Sequence, residues 1–525
     1  MKRIIIFLMA ILLFTHLLIS ASLEERVNHL SKGEMQSVIE FLGDDLLEGR
    51  APGTRGGDLA ERYMRSLFKF MGLEPGFNGS YMQPFKLKGF TVKELNVTAA
   101  GMELKHLDEI VGTFAREEAD FQLEAEAVFV GFGTTAGLWK WDDFKNVDVR
   151  DKIIIARVND PGMFIPGIFE GKTLTYFGRW IYHIEEAARR GAVGILLIHT
   201  DASAGYDWNV VRNSWSGEEP YLESDLKSNL KLRAWIKESS LRKVLETQKI
   251  DLDKLYKKSL DRKFKPVDLG FKITVKGKNS FRDILNNNVA AVIPGKSKIR
   301  IVLSAHIDHL GMDLLKEGGN IFNGAIDNGS AAAAMMMTAK ILKEFQEGLH
   351  YTIVILACNA EEAGLLGSKY YVRNVPDREN IIANINFEST PVWGKAEDIM
   401  AVGGRFSTLE DMLKDIAEKE GLNYSYFSMV NQGFFYRSDQ YSFARYNIPA
   451  IWISAGENDD SGEKKYLRFW KTDYHTVRDE YHPEWPLEGL RQTVRMALLL
   501  IDRLNKTKEL PKWKGKLTFP IEMGR

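Results

Sequence analysis

The feature of this sequence that most restricts its fold is a regular alternation of apolar runs and amphipathic segments after Asn288. Each apolar run predicts a buried strand, and each segment that follows has apolar residues at helical spacing. Strands without polar alternation are typical of a largely parallel sheet with both faces covered. The runs are IRIVLSA, YTIVILAC, IIANINF and PAIWISAG. We therefore predict an α/β fold with a mostly parallel central sheet sandwiched by helices.

A second stretch interrupts this pattern on its N-terminal side. The segments AEAVFVGFG, DKIIIARV and VGILLIHT predict strands, and FGRWIYHIEEAARRGA predicts a helix. We predict that residues 106–269 form an inserted α/β domain. Residues 23–105 and 270–525 would then form one discontinuous main domain.

The first 22 residues have the pattern of a secretory signal peptide. Lys2 and Arg3 precede an apolar run at residues 4–19, and small residues follow it. The run is short for a membrane span, which needs about 20 residues. We expect cleavage near Ala21 or Ser22, no stable membrane span afterwards, and an exported protein, periplasmic or secreted. An uncleaved signal anchor is the alternative.

Composition excludes several other classes of protein. The net charge is −1 and the basic residues are not clustered, so we expect no nucleic-acid partner. Cys358 is the single cysteine, which rules out an internal disulfide framework and a thiolate zinc site. Any metal must be held by nitrogen and oxygen. No pattern in the sequence predicts an oligomeric state.

Acidic residues and histidines follow the predicted strands. In open parallel sheets, ligands bind outside the carboxyl ends of the strands, so these side chains should converge. Taken singly, an aspartate at a helix start could be a cap, and a histidine in a loop could be solvated. The residues at the predicted edge are His306, Asp308, Asp327, Glu361, Glu362, Glu388 and His475.

A pair of metal ions explains this set, because clustered carboxylates repel one another unless cations neutralise them. Two metals about 3.5–4 Å apart need a bridging ligand, for which Asp327 is our candidate. Each metal then takes one histidine and a second carboxylate, a donor set that favours zinc, with cobalt or manganese as substitutes. Asp308 is placed to accept the free ring N–H of His306. One of the paired glutamates should bind a metal, and the other should act as general base.

At these residues the sequence resembles the co-catalytic di-zinc peptidases of the aminopeptidase Y and glutamate carboxypeptidase type. The motifs AHIDHLG, GAIDNGS, EEAGLLGS, NINFE and YHTVRD occur in that family's order and spacing. The segment LLEGRAPGTRGGDLAERYMRSLFKFMGLEPG is also similar to the family's N-terminal part. The insert resembles the protease-associated domain that many members carry, and the main domain is then the catalytic domain.

The resemblance implies a role for each residue. Glu361 would be the general base, and Glu362 would bind one metal together with His475. His306 and Glu388 would bind the other metal, and Asp327 would bridge the two. Tyr474 matches a tyrosine that stabilises the oxyanion in some members, although ordinary packing would also explain it. The family usually has aspartate where this chain has Glu388, and His309 matches a motif variant that need not be a ligand.

The resemblance also implies an activity, that of an exported metallo-exopeptidase with two zinc ions and a peptide substrate. We expect an aminopeptidase. A carboxypeptidase, or a hydrolase of another amide, is the alternative on the same scaffold. A glutaminyl cyclase is less favoured because those relatives generally lack the insert. A non-catalytic binding or receptor-like relative is disfavoured because every metal ligand is kept.

Overall fold

The structure is a computed structural model that describes residues 23–313, 318 and 320–522. The predicted signal segment, residues 1–22, lies outside the described residues. No helix in the described part of the chain is long and apolar enough to cross a membrane.

The four predicted strands after Asn288 form the centre of a long mixed sheet, and all four are parallel. Two shorter strands extend this sheet beyond Ala450–Ala455 and run antiparallel to it; the sequence did not predict them. The mostly parallel sheet is therefore confirmed. In spatial order the six strands are Asn423–Ser425, Asp398–Val402, Ala450–Ala455, Ile381–Asn386, Ser297–His306 and Tyr351–Cys358.

Helices cover both faces of this sheet. Along one strand, Ile353 and Ile355 belong to the apolar core on one face, whereas Val354 and Leu356 belong to the core on the other. This explains why the strands are apolar at every position rather than at alternate ones. The helices of the main domain are Leu23–Asn28, Lys32–Leu42, Arg55–Phe70, Ala331–Glu344, Leu366–Asn374, Leu409–Lys419, Gln440–Arg445, Lys465–Thr472 and Glu488–Thr507.

Two long antiparallel strands, Met82–Ala99 and Val267–Ile293, join the main domain to the insert. One end of Val267–Ile293 pairs with Tyr351–Cys358, and its other end pairs with Asp120–Phe129 in the insert. The sequence did not reveal these strands because many of their residues are polar and exposed. The predicted boundary at residue 270 falls inside Val267–Ile293, and the division of the chain into two domains stays a prediction.

The insert continues the same sheet with its own helices. Its four central strands are parallel, and Ile110–Phe114 closes the edge in antiparallel orientation. The central strands are Asp120–Phe129, Ile153–Arg157, Gly194–His199 and Leu232–Lys237, and the helices are Trp180–Arg189, Asp201–Ala204, Trp208–Trp215, Glu238–Thr247 and Leu252–Ser259. Three short strands also pair with the large sheet: Glu74–Pro75, Met102–Leu104 and Glu219–Leu222. Two small two-stranded sheets lie outside it. One pairs Thr135–Ala136 with Trp141–Asp142, and the other pairs Gly311–Met312 with Ile321–Phe322.

Candidate metal centre

Three neighbouring parallel strands deliver the first part of the candidate site. His306 is the last residue of its strand, and Glu388 comes two residues after the strand Ile381–Asn386 ends. Glu361 and Glu362 lie in the turn between the strand that ends at Cys358 and the helix that begins at Leu366. The carboxyl ends of parallel strands share one edge of the sheet, so these side chains meet there.

Asp327 lies between the two histidines of the site. Its Oδ1 is 3.3 Å from Nε2 of His306, and its Oδ2 is 3.4 Å from Nε2 of His475. All three side chains are almost fully buried. The carboxylate therefore directs one oxygen to each imidazole, which is the placement expected of a ligand that bridges two metals.

Each histidine also has a second carboxylate beside it. Oε1 of Glu388 is 3.1 Å from Nε2 of His306, and Oε2 of Glu362 is 3.0 Å from Nε2 of His475. Glu361 is more distant, with Oε2 at 3.9 Å from Nε2 of His306. By the shortest distances the donors form two pairs that share Asp327, and an oxygen of Glu361 lies within 4.8 Å of the ligand atoms of His306 and Glu388.

The donor atoms fit a pair of zinc ions. Tetrahedral zinc with bonds of about 2.0–2.2 Å places its ligand atoms roughly 3.3–3.6 Å apart, close to the spacings observed here. Oδ2 of Asp327 and Nε2 of His475 are buried atoms that lack a hydrogen-bond partner among the described residues. Bound cations would satisfy both atoms.

Burial and mutual repulsion shift the acidity of the carboxyl groups. Burial raises the pKa of Glu361 well above its usual range, and the carboxylates of Glu388 and Glu362 add to the effect. Burial also raises the pKa of Asp327, but the adjacent imidazoles of His306 and His475 outweigh it and hold that pKa well below its usual range. The cluster therefore lacks enough positive charge of its own to keep every carboxylate ionised.

One buried cation below the site comes from the N-terminal part of the chain. The guanidinium of Arg50 is fully buried and donates to the main-chain carbonyls of Ile307 and Gly324 at 2.8 and 3.1 Å. It also donates to the carbonyls of Leu42 and Asn323. Arg50 thus fixes the loops on both sides of the candidate site. Sequence reasoning missed this role, although Arg50 lies in the EGRAPG segment that carried the resemblance.

The structure changes the predicted role of Asp308. We predicted that its carboxylate would accept the ring N–H of His306, but its main-chain oxygen is closer to Nδ1, at 3.2 Å, than its carboxylate, at 3.7 Å. The carboxylate instead accepts the main-chain N–H groups of Glu361 and Glu362, at 3.0 and 3.3 Å. Asp308 is therefore a positioning residue for the paired glutamates as well as for His306.

Two further residues hold the candidate metal ligands in place, and sequence reasoning did not assign them. Nδ1 of His309 lies 2.7 Å from Oε1 of Glu362, so the ring donates to the oxygen that faces away from His475. The buried carboxylate of Asp479 accepts the N–H groups of Ile326 and Asp327, at 2.7 and 2.9 Å. Both lie within the motifs AHIDHLG and YHTVRD, but only the fold shows their contacts.

The insert also contacts His475, one of the candidate metal ligands. Oγ of Ser214, on the helix Trp208–Trp215, is 3.1 Å from Nδ1 of His475, and the side chain of Asn213 donates to the main-chain oxygen of His475 at 3.4 Å. The hydroxyl accepts the ring N–H when Nε2 of His475 faces a metal. This contact fixes the tautomer and the orientation of the imidazole.

Replacing Ser214 with alanine should lower the affinity for one metal ion by about 10-fold or more, because partners of a metal-bound histidine usually contribute that much. Zinc affinity measured by competition with a coloured chelator tests this. The matched control is Ser216→Ala, which removes a hydroxyl just beyond the same helix. Equal zinc affinity in Ser214→Ala and the unchanged protein would show that the contact has no such role.

Tyr474 packs directly on the site. Its ring stacks on the imidazole of His475 with centroids 3.8 Å apart, and its hydroxyl accepts a hydrogen bond from Arg437. Burial raises the pKa of Tyr474 well above its usual range, so the phenol keeps its proton. This position is compatible with the oxyanion role that the resemblance implies.

A cavity of about 530 Å³ opens beside these residues, between the main domain and the insert. Glu361, Glu362, Tyr474 and His475 line one side, and the insert helices Trp180–Arg189 and Trp208–Trp215 contribute to the other. Its size is that of a small-molecule or short-peptide site. The insert thus forms part of the wall that a substrate would meet.

Comparison with known proteins finds a family model that matches the segment carrying this site. Residues 288–500 match the family model of Peptidase family M28. The chain is 32% identical to aminopeptidase YwaD of Bacillus subtilis over 105 residues. This match covers 19% of this chain and 23% of the relative. It is 28% identical to leucine aminopeptidase 2 of Trichophyton rubrum over 181 residues. This match covers 32% of this chain and 33% of the relative. The matches thus span only about a quarter to a third of these curated relatives.

The fold is similar over a much longer part of the chain. The aminopeptidase from Aneurinibacillus sp. strain AM-1 has a TM-score of 0.56 and 17% identity, over 95% of this chain and 99% of that structure. The peptidase M28 precursor from Shewanella amazonensis SB2B has a TM-score of 0.50 and 18% identity, over 94% of this chain and 98% of that structure. At such low identity these likenesses establish the fold alone. The matched segment, residues 288–500, carries all five candidate metal ligands.

Proposed function

We propose that this protein is an exported, zinc-dependent aminopeptidase that hydrolyses the N-terminal peptide bond of its substrates. The observation that carries the proposal is the position of Asp327, with one oxygen directed to each of two histidines at 3.3 and 3.4 Å. Each histidine has its own second carboxylate. The similarity of the segment to aminopeptidases supports a peptide bond as the reacting group.

Five residues would hold the metals. His306 and Glu388 would bind one ion, Glu362 and His475 would bind the other, and Asp327 would bridge them. When bound, such a pair supplies positive charge that polarises the scissile carbonyl and makes a water molecule more acidic.

Glu361 performs the proton transfers. Its buried carboxylate lies next to the ligand groups, 3.9 Å from the ring of His306, where it can accept and release a proton. The carboxylate takes the proton of the attacking water and passes it to the leaving amine.

Tyr474 and Arg437 act on the carbonyl oxygen. The phenol hydroxyl is aligned by Arg437 and by stacking on His475, on the wall of the cavity. A donor held in place before the reaction stabilises the negative charge that develops on that oxygen.

Export rests on the signal pattern of residues 1–22. The expected mature protein begins near Ser22 or Leu23. Mass spectrometry of the protein recovered from the periplasm or the medium tests this, and an intact N-terminal segment would indicate a signal anchor instead.

One comparison of substrates separates the aminopeptidase from its alternatives. The zinc-loaded protein should hydrolyse a library of peptides with free amino termini and leave the N-acetylated copy of the library intact. Cleavage of both libraries at their carboxyl ends would establish a carboxypeptidase. Cleavage of neither library, with peptide binding retained, would establish a non-catalytic binding protein.

A further inference from the structure

A buried carboxylate from the N-terminal part of the chain contacts the start of the turn that carries the paired glutamates. Glu61, on the helix Arg55–Phe70, is 3% exposed. Its Oε1 accepts the side-chain N–H of Asn359 at 2.9 Å and the main-chain N–H of Asn287 at 2.8 Å. Its Oε2 accepts the side-chain N–H of Asn287 at 2.8 Å. Glu61 thus joins two chain segments that lie side by side at the edge of the sheet.

Asn359 connects Glu61 to the backbone of that turn. Its Oδ1 accepts the main-chain N–H of Ala360 at 2.8 Å, and its own main-chain N–H donates to Oδ1 of Asn288 at 3.2 Å. The side chain of Asn359 is almost fully buried. Because both ends of its amide are hydrogen-bonded, the side chain cannot rotate without breaking a buried hydrogen bond.

The turn contains a strained residue directly before the proposed base. Ala360 has a φ of 57°, in the left-handed region that a residue with a side chain rarely adopts. Such a conformation costs free energy and persists where surrounding contacts hold it. Asn359 accepts the N–H of Ala360, and Asp308 accepts the N–H of Glu361, so this residue is held from both sides. A change in its backbone angles would move the carboxylate of Glu361 relative to His306, which lies 3.9 Å away.

A carboxylate suits the position of Glu61 better than a neutral side chain of the same size. Its two oxygens accept three N–H bonds, whereas a glutamine would offer one oxygen and would turn an NH₂ group toward the donors. Hydrogen bonds to a charged acceptor are also stronger than those to a neutral one. Burial raises the pKa of Glu61 to about 7, so the ionised form is kept at a cost. Glu61 therefore restrains Asn359 more firmly than packing alone would.

We propose that Glu61 is a positioning residue for the general base Glu361. It fixes Asn359, and Asn359 in turn holds Ala360 in the conformation that directs the next side chain toward the candidate metal ligands. This inference rests on the proposed peptidase function and gives the helix Arg55–Phe70 a part in it. Glu61 does not line the cavity, so it acts on the reaction through the turn rather than on the substrate.

The first test compares two asparagines that donate to the same carboxylate. Asn359→Ala should lower kcat by about 10- to 100-fold, the effect of a small misplacement of a reacting group, while KM and zinc content stay near those of the unchanged protein. The matched control is Asn287→Ala, which removes an amide donor from the other oxygen of Glu61 and should keep kcat near its original value. Assays at about pH 8.5 keep Glu61 ionised, because its pKa is raised to about 7. Equal kcat values for the two variants would overturn the proposal.

The second test changes Glu61 itself. Glu61→Gln should lower kcat about as much as Asn359→Ala does, and the double variant should be no slower than either single one, because both changes break the same contact. Met64→Ala controls for general destabilisation, since Met64 is fully buried on the same helix; it should lower Tm and leave kcat unchanged. A normal kcat in Glu61→Gln, or losses that multiply in the double variant, would contradict the assignment.

A combination with Glu361→Gln shows whether Glu61 acts through the base. Without the base there is no carboxylate to position, so adding Glu61→Gln to Glu361→Gln should not lower kcat further. A further loss of the same size would show that Glu61 supports the site in general, and the proposal would be wrong. A full rate in Glu361→Gln alone would instead remove Glu361 from the proposed mechanism.

Hydrogen–deuterium exchange of residues 359–366, followed by mass spectrometry, separates this proposal from the proposed function because it needs no catalysis. Asn359→Ala and Glu61→Gln should speed exchange in this turn, whereas Asn287→Ala and Met64→Ala should not. Faster exchange in a protein that hydrolyses no peptide would refute the peptidase function and leave the hold on the turn standing. Peptide hydrolysis with unchanged exchange and unchanged kcat in both variants would leave the function standing and refute the positioning role.

Discussion

Replacing Glu361 with glutamine should lower kcat by about 10²- to 10⁴-fold while the metal content stays near two ions per chain. That range is the usual contribution of a positioned general base. Glutamine keeps the size of the side chain and loses the ability to accept a proton. Because Glu361 lies 3.9 Å from His306 and outside both donor groups, the ligands should keep their places. Steady-state kinetics and elemental analysis on the same sample measure both quantities.

The neighbouring glutamate provides the matched control. Glu362 lies 3.0 Å from His475 and 2.7 Å from His309, so Glu362→Gln removes a ligand charge and should lose metal together with activity. The two substitutions are chemically identical and one residue apart. If both variants kept their metal and lost the same rate, the assigned division between base and ligand would be wrong.

Removal of Glu388 is the second change with a large expected effect. Glu388→Ala should lose about one metal ion per chain and most of the activity. In the structure its Oε1 lies 3.1 Å from Nε2 of His306, and its Oε2 accepts a hydrogen bond from Ser438 at 2.6 Å. This carboxylate thus faces the site in spite of the extra methylene relative to the usual aspartate. Zinc content and kcat/KM, measured on dialysed protein, check both losses.

Glu388→Asp tests whether the charge of this side chain or its length matters more for metal binding. The charge is kept but the shorter side chain should leave the carboxylate short of His306, so we expect partial metal binding and intermediate activity. A metal held by Glu388 should also be the weaker-bound of the two, because glutamate has one more rotatable bond than the usual aspartate. Normal zinc content and rate in Glu388→Ala would remove Glu388 from the site.

The sequence predicted the centre of the fold because buried parallel strands are apolar at every position. The strand predicted at YTIVILAC has the observed bounds Tyr351–Cys358. The two edge strands were missed because they have only three and five residues. The long strand Val267–Ile293 was missed because it leaves the main sheet and exposes polar side chains over much of its length.

Predicting the candidate ligands followed from a simple geometric rule, since residues after parallel strands collect at one edge. The structure brings His306, Asp327, Glu362, Glu388 and His475 together there. The rule does not predict which hydrogen bonds hold these side chains in place. Asp479 binds main-chain amides, Arg50 binds main-chain carbonyls, and Ser214 reaches His475 from the insert. Such contacts leave no local pattern in the sequence.

The central claim is that two metal ions share Asp327, and the count of metal ions per chain tests it most directly. Protein purified without chelator, dialysed and shown to be active should contain close to two zinc ions per chain by elemental analysis. Chelation should remove both the metal and the activity, and zinc should restore them. An active preparation without transition metal would contradict the account.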